Sequence, residues 1–137
     1  VICGVSEAIM AAILTLTEAG DEVVIFEPRH EDYVPDCLIA GVCRRFVLLS
    51  RPEYRSEPAA LPRAITPRTR VVILNAAHKP TGRVFTRGEL EVVAGICHRH
   101  GRVGGGSRYV SFNCAKKAAT LREAATRLTC LGAGRGR

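Results

Sequence analysis

Tryptophan is absent from this 137-residue sequence, and aromatic residues make up only 5% of it, whereas hydrophobic residues overall make up 47%. Any core is therefore aliphatic, and an aliphatic core is typical of a parallel sheet covered by helices. A chain of this length forms at most one domain and can bury roughly two thirds of the surface that it exposes when unfolded.

Long apolar segments are also missing. No apolar run reaches the roughly 18 residues that a membrane-spanning helix needs, and no basic and then apolar leader opens the chain. We therefore expect a soluble, cytoplasmic protein that makes no contact with membranes. Because the sequence begins with Val1, we expect its true amino terminus, with any targeting signal, to lie outside it.

Acidic residues become scarce toward the carboxyl end. Residues 1–91 carry 11 Lys and Arg against 12 Asp and Glu, whereas residues 92–137 carry 9 against the single Glu123. A basic tail can bind nucleic acid or acidic proteins, but no aromatic stacking pattern and no known nucleic-acid motif accompanies this one. A solvated tail is therefore favoured, and nucleic acid is not the expected partner.

The six cysteines are dispersed through the chain without a secretory signal, so we expect reduced and mostly buried thiols rather than disulfides. Only the stretch that begins at Cys97 combines residues with metal-ligand chemistry. His98 and His100 lie two positions apart on a predicted helix end and therefore point to different faces. We predict no metal site.

Short runs rich in β-branched and aliphatic residues alternate with helical patterns. The predicted strands are residues 1–3, 22–27, 45–49 and 71–74. Strands and helices that alternate at this spacing indicate βαβ units. The predicted fold class is α/β, with a partial doubly wound, mainly parallel sheet and flanking helices.

The turn after the first predicted strand contains Gly4, Val5 and Ser6 and leads directly into a helix. Such a turn leaves unpaired backbone N–H groups at the positive end of the helix dipole, where a phosphate group can bind. We expect Ser6 to cap this helix and Gly20 to end it. The spacing alone is weak evidence, because many α/β proteins contain such a turn.

The stretch Asn75-Ala76-Ala77-His78-Lys79-Pro80-Thr81-Gly82 is a polar loop that follows the predicted strand 71–74. Open α/β sheets bind ligands at the edge where such loops leave the carboxyl ends of the strands. Thr86 and Glu89 then predict a capping box at the start of the next helix. Pro62 predicts a break or an irregular turn in the short helix before the loop.

The pattern changes after Gly101. Three consecutive glycines, residues 104–106, occupy the place where another buried strand would be expected. We therefore divide the chain into residues 1–101, which carry the α/β pattern, and a divergent basic segment, residues 102–137, which we expect to be partly disordered.

Several short motifs in residues 1–100 share the order and spacing of one enzyme family. The chain resembles the large domain of the class I/II (fold-type I) pyridoxal-phosphate-dependent aminotransferases of the kynurenine, methionine and aspartate type. The matching motifs are Gly4-x-x-Glu7-Ala8, Gly20-Asp21-Glu22-Val23-Val24, Glu27-Pro28 followed by Tyr33, Ala40-Gly41, Ile65-Thr66-Pro67-Arg68-Thr69, Pro80-Thr81-Gly82 and Glu89-Leu90. The resemblance implies an incomplete large domain of the pyridoxal-phosphate-dependent transferase fold.

The resemblance also implies a binding site for pyridoxal 5'-phosphate. The first turn holds the cofactor phosphate in the family, which assigns that role to Gly4, Val5 and Ser6. His30 occupies the position of the aromatic residue that stacks on the pyridine ring. Lys79 occupies the position of an asparagine that hydrogen-bonds the ring hydroxyl. The remaining cofactor-binding residues that the loop motif implies are Asn75 and Thr81.

Lys117 is the candidate catalytic lysine, because residues 108–117 faintly resemble a later strand of the family that ends in the lysine bonded to the cofactor. The alternative interpretation of Lys117 is a solvated cation in the basic tail. The family's aspartate that keeps the pyridine nitrogen protonated has no counterpart in this sequence. We therefore expect the chain alone to be inactive.

Three functions stay open at this point. The first is an aminotransferase-like domain, which in intact relatives transfers an amino group from an amino acid to a 2-oxo acid and works as a homodimer. The second is a carbon–sulfur lyase or another pyridoxal-phosphate enzyme on the same fold. The third is a non-catalytic relic or binding module whose basic tail contacts nucleic acid or acidic partners.

Overall fold

The computed structural model describes residues 4–100. The predicted strand at residues 1–3, the basic segment 102–137 and Lys117 lie outside the described residues. Within them, no helix is long and apolar enough to cross a membrane. The elements in chain order are α1 (Val5–Leu16), β1 (Glu22–Glu27), α2 (Tyr33–Ile39), β2 (Cys43–Leu48), α3 (Ala60–Ala64), β3 (Thr69–Ile73) and α4 (Arg87–His100).

The three described strands form one parallel sheet in the order β2-β1-β3. β1 lies in the centre, and its residues Val23, Val24 and Ile25 are completely buried. A continuous β-branched run is what a strand needs when both of its faces are covered. The predicted α/β class with a parallel sheet is confirmed, and β2 and β3 each begin two residues earlier than the sequence pattern predicted.

Both faces of the sheet carry a hydrophobic cluster, because successive side chains of β1 point to opposite sides. On one face, Val23 and Ile25 pack with residues of α1 and α2, including Ile13 and Cys37. On the other face, Val24 and Phe26 pack with residues of α3 and α4. Helices therefore cover both faces, as a doubly wound sheet requires.

The ends of α1 differ from the prediction. Gly4, rather than Ser6, is the N-cap residue, and the described part of the chain provides no side-chain cap for this helix. Ser6 lies inside the first turn, and its hydroxyl is used in a long-range hydrogen bond with Asp32. The helix ends at Leu16, well before Gly20, because the backbone becomes extended at Thr17. The Thr17 hydroxyl and N–H both bond the carbonyl of Ile13, which closes the last turn.

The starts of α3 and α4 test two predictions about helix-forming residues, Pro62 and the pair Thr86 and Glu89. Pro62 lies in the first turn of α3, where its missing N–H would have no partner within the helix, so the predicted break is not needed. At the start of α4, the Thr86 N–H donates to Glu89 Oε2 at 2.9 Å, and the Glu89 N–H donates to Thr86 Oγ1 at 3.3 Å. The predicted capping box is confirmed.

Candidate functional site

Three separate segments of the chain meet at the carboxyl edge of the sheet. They are the start of α1, the loop of residues 28–32 after β1, and the loop of residues 75–82 after β3. The Ser6 hydroxyl donates a hydrogen bond to Asp32 Oδ2 at 2.5 Å, which joins the first segment to the second. The Lys79 ammonium lies 3.0 Å from His30 Nε2, which joins the second segment to the third.

The start of α1 has the properties of an anion-binding turn. Gly4 has a φ of 131°, a conformation that side-chain-bearing residues rarely adopt, which explains a glycine at this position. Within residues 4–100, no side-chain cap hydrogen bond closes the start of this 12-residue helix. Uncapped N–H groups and the positive end of the helix dipole both favour a negative group there. Val5 and Ser6 are the first residues of this turn.

His30 lies beside a second aromatic ring. Its ring centroid is 5.6 Å from that of Tyr33, and the two planes are tilted by 32°. The His30 side chain is about one-fifth exposed, with its Nδ1 3.7 Å from a carboxylate oxygen of Asp32. The His30 imidazole therefore lies between the Tyr33 ring and the Asp32 carboxylate.

Lys79 connects the two loops. Its ammonium donates to Glu31 Oε1 at 2.9 Å as well as contacting His30. An ammonium group has three donors and no acceptor, so it can hold a carboxylate and an imidazole nitrogen together. The hydrogen bond from Lys79 is the main cause of a lowered pKa at Glu31. The ion pair of Lys79 with Glu31 is exposed to solvent. It therefore fixes the relative position of the two loops and adds little to the free energy of unfolding.

His78 holds the loop after β3 in place, a role that the sequence analysis missed. Only 2% of the residue is exposed. Its N–H donates to the carbonyl of Arg83 at 2.7 Å, and its own carbonyl accepts from the N–H of Gly82 at 2.6 Å. Burial, and then the nearby Arg83 charge, lower the pKa of His78, which keeps the imidazole neutral at pH 7. The only sequence feature that points to this role of His78 is its position directly before a Lys-Pro-Thr-Gly turn.

Asn75 and Thr81 make no hydrogen bond with the groups that connect the three segments, which are Ser6, Asp32, His30 and Lys79. The Thr81 hydroxyl faces into its own loop, where it lies 2.8 Å from His78 Nδ1 and accepts the Arg83 N–H at 3.2 Å. The side chain of Asn75 is half-buried and makes no hydrogen bond with the part of the chain that the structure describes.

Arg83 ties the same loop to α4. Its guanidinium lies 4.4 Å from the ring centroid of Phe85 and forms an ion pair with Glu89, the residue of the capping box. The Phe85 ring in turn meets His78 edge to face, with 6.0 Å between the centroids. The loop therefore has a defined conformation that begins in the core and ends at a capped helix.

Asp36 is a buried carboxyl group beneath the site. The residue lies in α2 and is 7% exposed, and its Oδ2 has no hydrogen-bond partner among the described residues. Burial raises the pKa of Asp36, and the neighbouring Asp32 carboxylate raises it further. An ionised Asp36 therefore costs stability at neutral pH.

We expect Asp36→Asn to raise the free energy of unfolding by about 1 kcal/mol at pH 7, because the amide has the same shape without the buried charge. The folded-state pKa lies above the ordinary 3.8, so the advantage of the variant is absent below that pH and grows as the pH rises through the raised pKa. Urea unfolding at pH 3.5 and pH 7 measures this difference. An advantage of equal size at both pH values contradicts the prediction.

A parallel sheet with helices on both faces, whose loops meet at the carboxyl edge, defines an open α/β domain, a class of fold in which ligands bind at that edge. Comparison with known proteins identifies its family. Residues 1–103 match the family Aminotransferase class I and II. The chain therefore belongs to the class I and II aminotransferases, whose members use pyridoxal phosphate, and the resemblance predicted from the motifs is confirmed.

Individual relatives match the same part of the chain. It is 36% identical over 108 residues to kynurenine–oxoglutarate transaminase 1 of Rattus norvegicus, covering 71% of this chain and 26% of that protein. It is 45% identical over 96 residues to probable N-succinyldiaminopimelate aminotransferase DapC of Mycobacterium tuberculosis, covering 68% of this chain and 24% of that protein.

The solved structures agree with the sequence matches. The structure of N-succinyldiaminopimelate aminotransferase from Mycobacterium tuberculosis has a TM-score of 0.67 at 41% identity and covers 70% of this chain and 26% of that one. The structure of Bna3p from Saccharomyces cerevisiae has a TM-score of 0.68 at 34% identity and covers 70% of this chain and 25% of that one. The chain spans about a quarter of the length of these relatives.

Proposed function

We propose that residues 4–100 form the cofactor-phosphate part of the large domain of a pyridoxal-phosphate-dependent aminotransferase. The observation that carries the proposal is the meeting of the start of α1 with the loops after β1 and β3, through the contacts of Ser6 with Asp32 and of Lys79 with His30. In the proposal, the phosphorylated ring is held where these segments lie together.

The residues at the edge fit the two ends of pyridoxal phosphate differently. The uncapped start of α1, with Gly4, Val5 and Ser6, suits the phosphate group, because its N–H groups and dipole favour an anion. His30 offers a planar face to the pyridine ring. Lys79 provides a donor for the ring hydroxyl once its contact with His30 opens.

The reaction needs more than these residues. When bound, pyridoxal phosphate supplies an electron sink for the bonds at the amino acid's α-carbon. The described residues bind and orient: α1 fixes the phosphate, and the loops after β1 and β3 fix the ring. In the proposal, Asn75 and Thr81 line or support the loop after β3. Lys117 is the lysine that accepts the proton from the α-carbon of the amino acid and returns it.

We propose the complete amino-group transfer for a longer relative, not for this chain alone. The substrates are an amino acid and a 2-oxo acid, as the name kynurenine–oxoglutarate transaminase indicates for the rat relative. We also propose that the longer protein is a cytoplasmic homodimer that serves amino acid metabolism. Within this chain, we propose a boundary between residues 1–101 and the basic segment 102–137.

Binding of pyridoxine 5'-phosphate tests the proposal. This ligand has no aldehyde, so it cannot react with surface lysines, and unphosphorylated pyridoxine differs from it only by the phosphate. We expect the 137-residue chain to bind the ester at least about tenfold more tightly, the difference that one charged hydrogen bond supplies. Isothermal titration calorimetry measures both dissociation constants.

Ser6→Asp places a carboxylate in the proposed phosphate position, and we expect it to abolish the preference for the ester. Thr15→Asp is the matched control, because it adds the same charge to an exposed position in the last turn of the same helix. Equal affinity for ester and alcohol, in the unaltered chain and in Asp32→Asn alike, refutes the proposal and favours a non-catalytic relic. Equal effects of the two substitutions refute the assignment to α1.

A further inference from the structure

A carboxylate of the chain itself lies at the start of α1. Ser6 is the second residue of α1, and its hydroxyl donates to Asp32 Oδ2 at 2.5 Å. Hydrogen bonds from hydroxyl groups to carboxylates of this length are strong, because the acceptor is ionised. The Asp32 carboxylate is therefore held beside the turn that suits a phosphate group.

Among the described residues, no lysine or arginine forms an ion pair with Asp32. The Lys79 ammonium in the neighbouring loop is paired with Glu31 and in contact with His30. The ion pair recorded for Asp32 is with His30 Nδ1, at the long distance of 3.7 Å, and it exists only when that imidazole is protonated. A second carboxyl group, Asp36, is buried one helical turn further along the chain, and its Oδ2 has no hydrogen-bond partner within residues 4–100.

A phosphate group at the start of α1 would meet this arrangement directly. It would need the Ser6 hydroxyl that Asp32 now holds, and it would bring its negative charge close to a carboxylate in a half-exposed site. Repulsion between unit charges a few ångström apart is appreciable even near a protein surface, because the effective dielectric is lower there than in water. Asp32 and a phosphate therefore exclude one another from the Ser6 hydroxyl.

We propose that Asp32 is an internal competitor for the phosphate position and sets the affinity of this chain for phosphate esters. The proposal rests on the proposed function, since it concerns the same turn. It assigns to Asp32 the opposite effect from the binding residues: removing its charge strengthens binding. A ligand without a phosphate group does not compete with Asp32, so its affinity does not depend on this residue.

The experiment compares Asp32→Asn with the unaltered 137-residue chain, using pyridoxine 5'-phosphate and pyridoxine as ligands. The introduced amide retains an oxygen for the Ser6 hydroxyl but has no charge. We expect the dissociation constant for the ester to fall about tenfold and that for pyridoxine to stay the same. Asp32→Ser is the second variant, which removes the charge and also shortens the side chain. Circular dichroism confirms that each variant is folded.

Asp21→Asn is the matched control, because it makes the same chemical change at the opposite edge of the sheet, before β1. We expect its affinity for the ester to stay within about twofold of the unaltered chain, since charges that far apart are screened. An equal gain in Asp21→Asn and Asp32→Asn overturns the inference, and so does an equal gain for pyridoxine.

The outcomes separate this inference from the proposed function. If the unaltered chain prefers the ester and Asp32→Asn changes nothing, the inference fails and the proposed function stands. If the unaltered chain shows no preference but Asp32→Asn acquires one, the inference is supported and the site is one that Asp32 blocks. If no variant prefers the ester, both are overturned.

Discussion

Ile25→Ala is expected to lower the free energy of unfolding by about 2–5 kcal/mol. Ile25 lies in the centre of β1, paired with Phe46 on β2 and Ile73 on β3, and is completely buried. Removing its outer carbon atoms loses their transfer free energy and leaves a cavity that the strands on either side cannot close. Because folded domains are stable by only about 5–15 kcal/mol, this is a large part of the total.

The matched control is Ile39→Ala, the same chemical change at a residue that is 68% exposed at the end of α2. We expect it to change the free energy of unfolding by less than about 0.5 kcal/mol. Ile25→Val, which removes a single carbon, should cost about 0.5–1.5 kcal/mol. Urea unfolding of the 137-residue chain, followed by circular dichroism, measures all three. Equal losses at Ile25 and Ile39 would mean that β1 is not the centre of the core.

The parts of the fold that could be predicted from sequence depend on residues close together in the chain. Thr86 and Glu89 are three positions apart, so their capping box follows from local spacing. The apolar run around Ile25 is continuous, so a strand buried on both faces follows as well. The carboxyl edge was also predictable, because parallel strands deliver their loops to one side.

The contacts that give the site its character could not be predicted in this way. Ser6 and Asp32 are separated by 26 positions, and Lys79 and His30 by 49, so only the folded sheet brings them together. Ser6 looked like a helix cap because Ser is a common N-cap residue, yet Gly4 takes that position with its positive φ. His78 was overlooked because its burial follows from the loop's own hydrogen bonds and from packing against Phe85.

The two edges of the sheet place charges in different ways. At the carboxyl edge, Asp32 and Lys79 are partly exposed and Asp36 is buried without a described partner for one of its oxygens. At the amino edge, Glu22 is 3% exposed and accepts hydrogen bonds from several donors. Buried charges that are satisfied support a fold, whereas unsatisfied ones near a rim indicate a place where a ligand or a change of state is accommodated. This contrast supports the proposal that ligand binding belongs to the carboxyl edge, while the amino edge contributes to stability.

The Glu22 carboxylate accepts the Thr66 hydroxyl at 2.6 Å, the Arg68 guanidinium at 3.3 Å and the Thr69 hydroxyl at 3.4 Å. Thr66 and Arg68 belong to the turn that leads into β3, and Thr69 is the first residue of β3, so Glu22 fixes the start of β3 beside the start of β1. The hydrogen bond from Thr66 has the largest influence on the pKa of Glu22, which it lowers. Burial acts in the opposite direction and raises this pKa. The charges of Arg45 and Arg68 lower it further.

Glu22→Gln is therefore expected to lower the free energy of unfolding at pH 7 by about 1–2 kcal/mol. The neutral amide accepts hydrogen bonds from Thr66 and Thr69 less strongly than the carboxylate does, and the loss of the ion pair with the exposed Arg68 adds little. The folded-state pKa lies below the ordinary 4.5, so the stabilisation by Glu22 is fully present above that pH and is lost as the pH falls through the lowered pKa. The difference between the variant and the unaltered chain should shrink below pH 4.5 for this reason. Urea unfolding at pH 7 and pH 3 measures it, with Glu53→Gln in an exposed loop as the matched control. A loss that is the same at both pH values would mean that the Glu22 side chain acts through its shape rather than its charge.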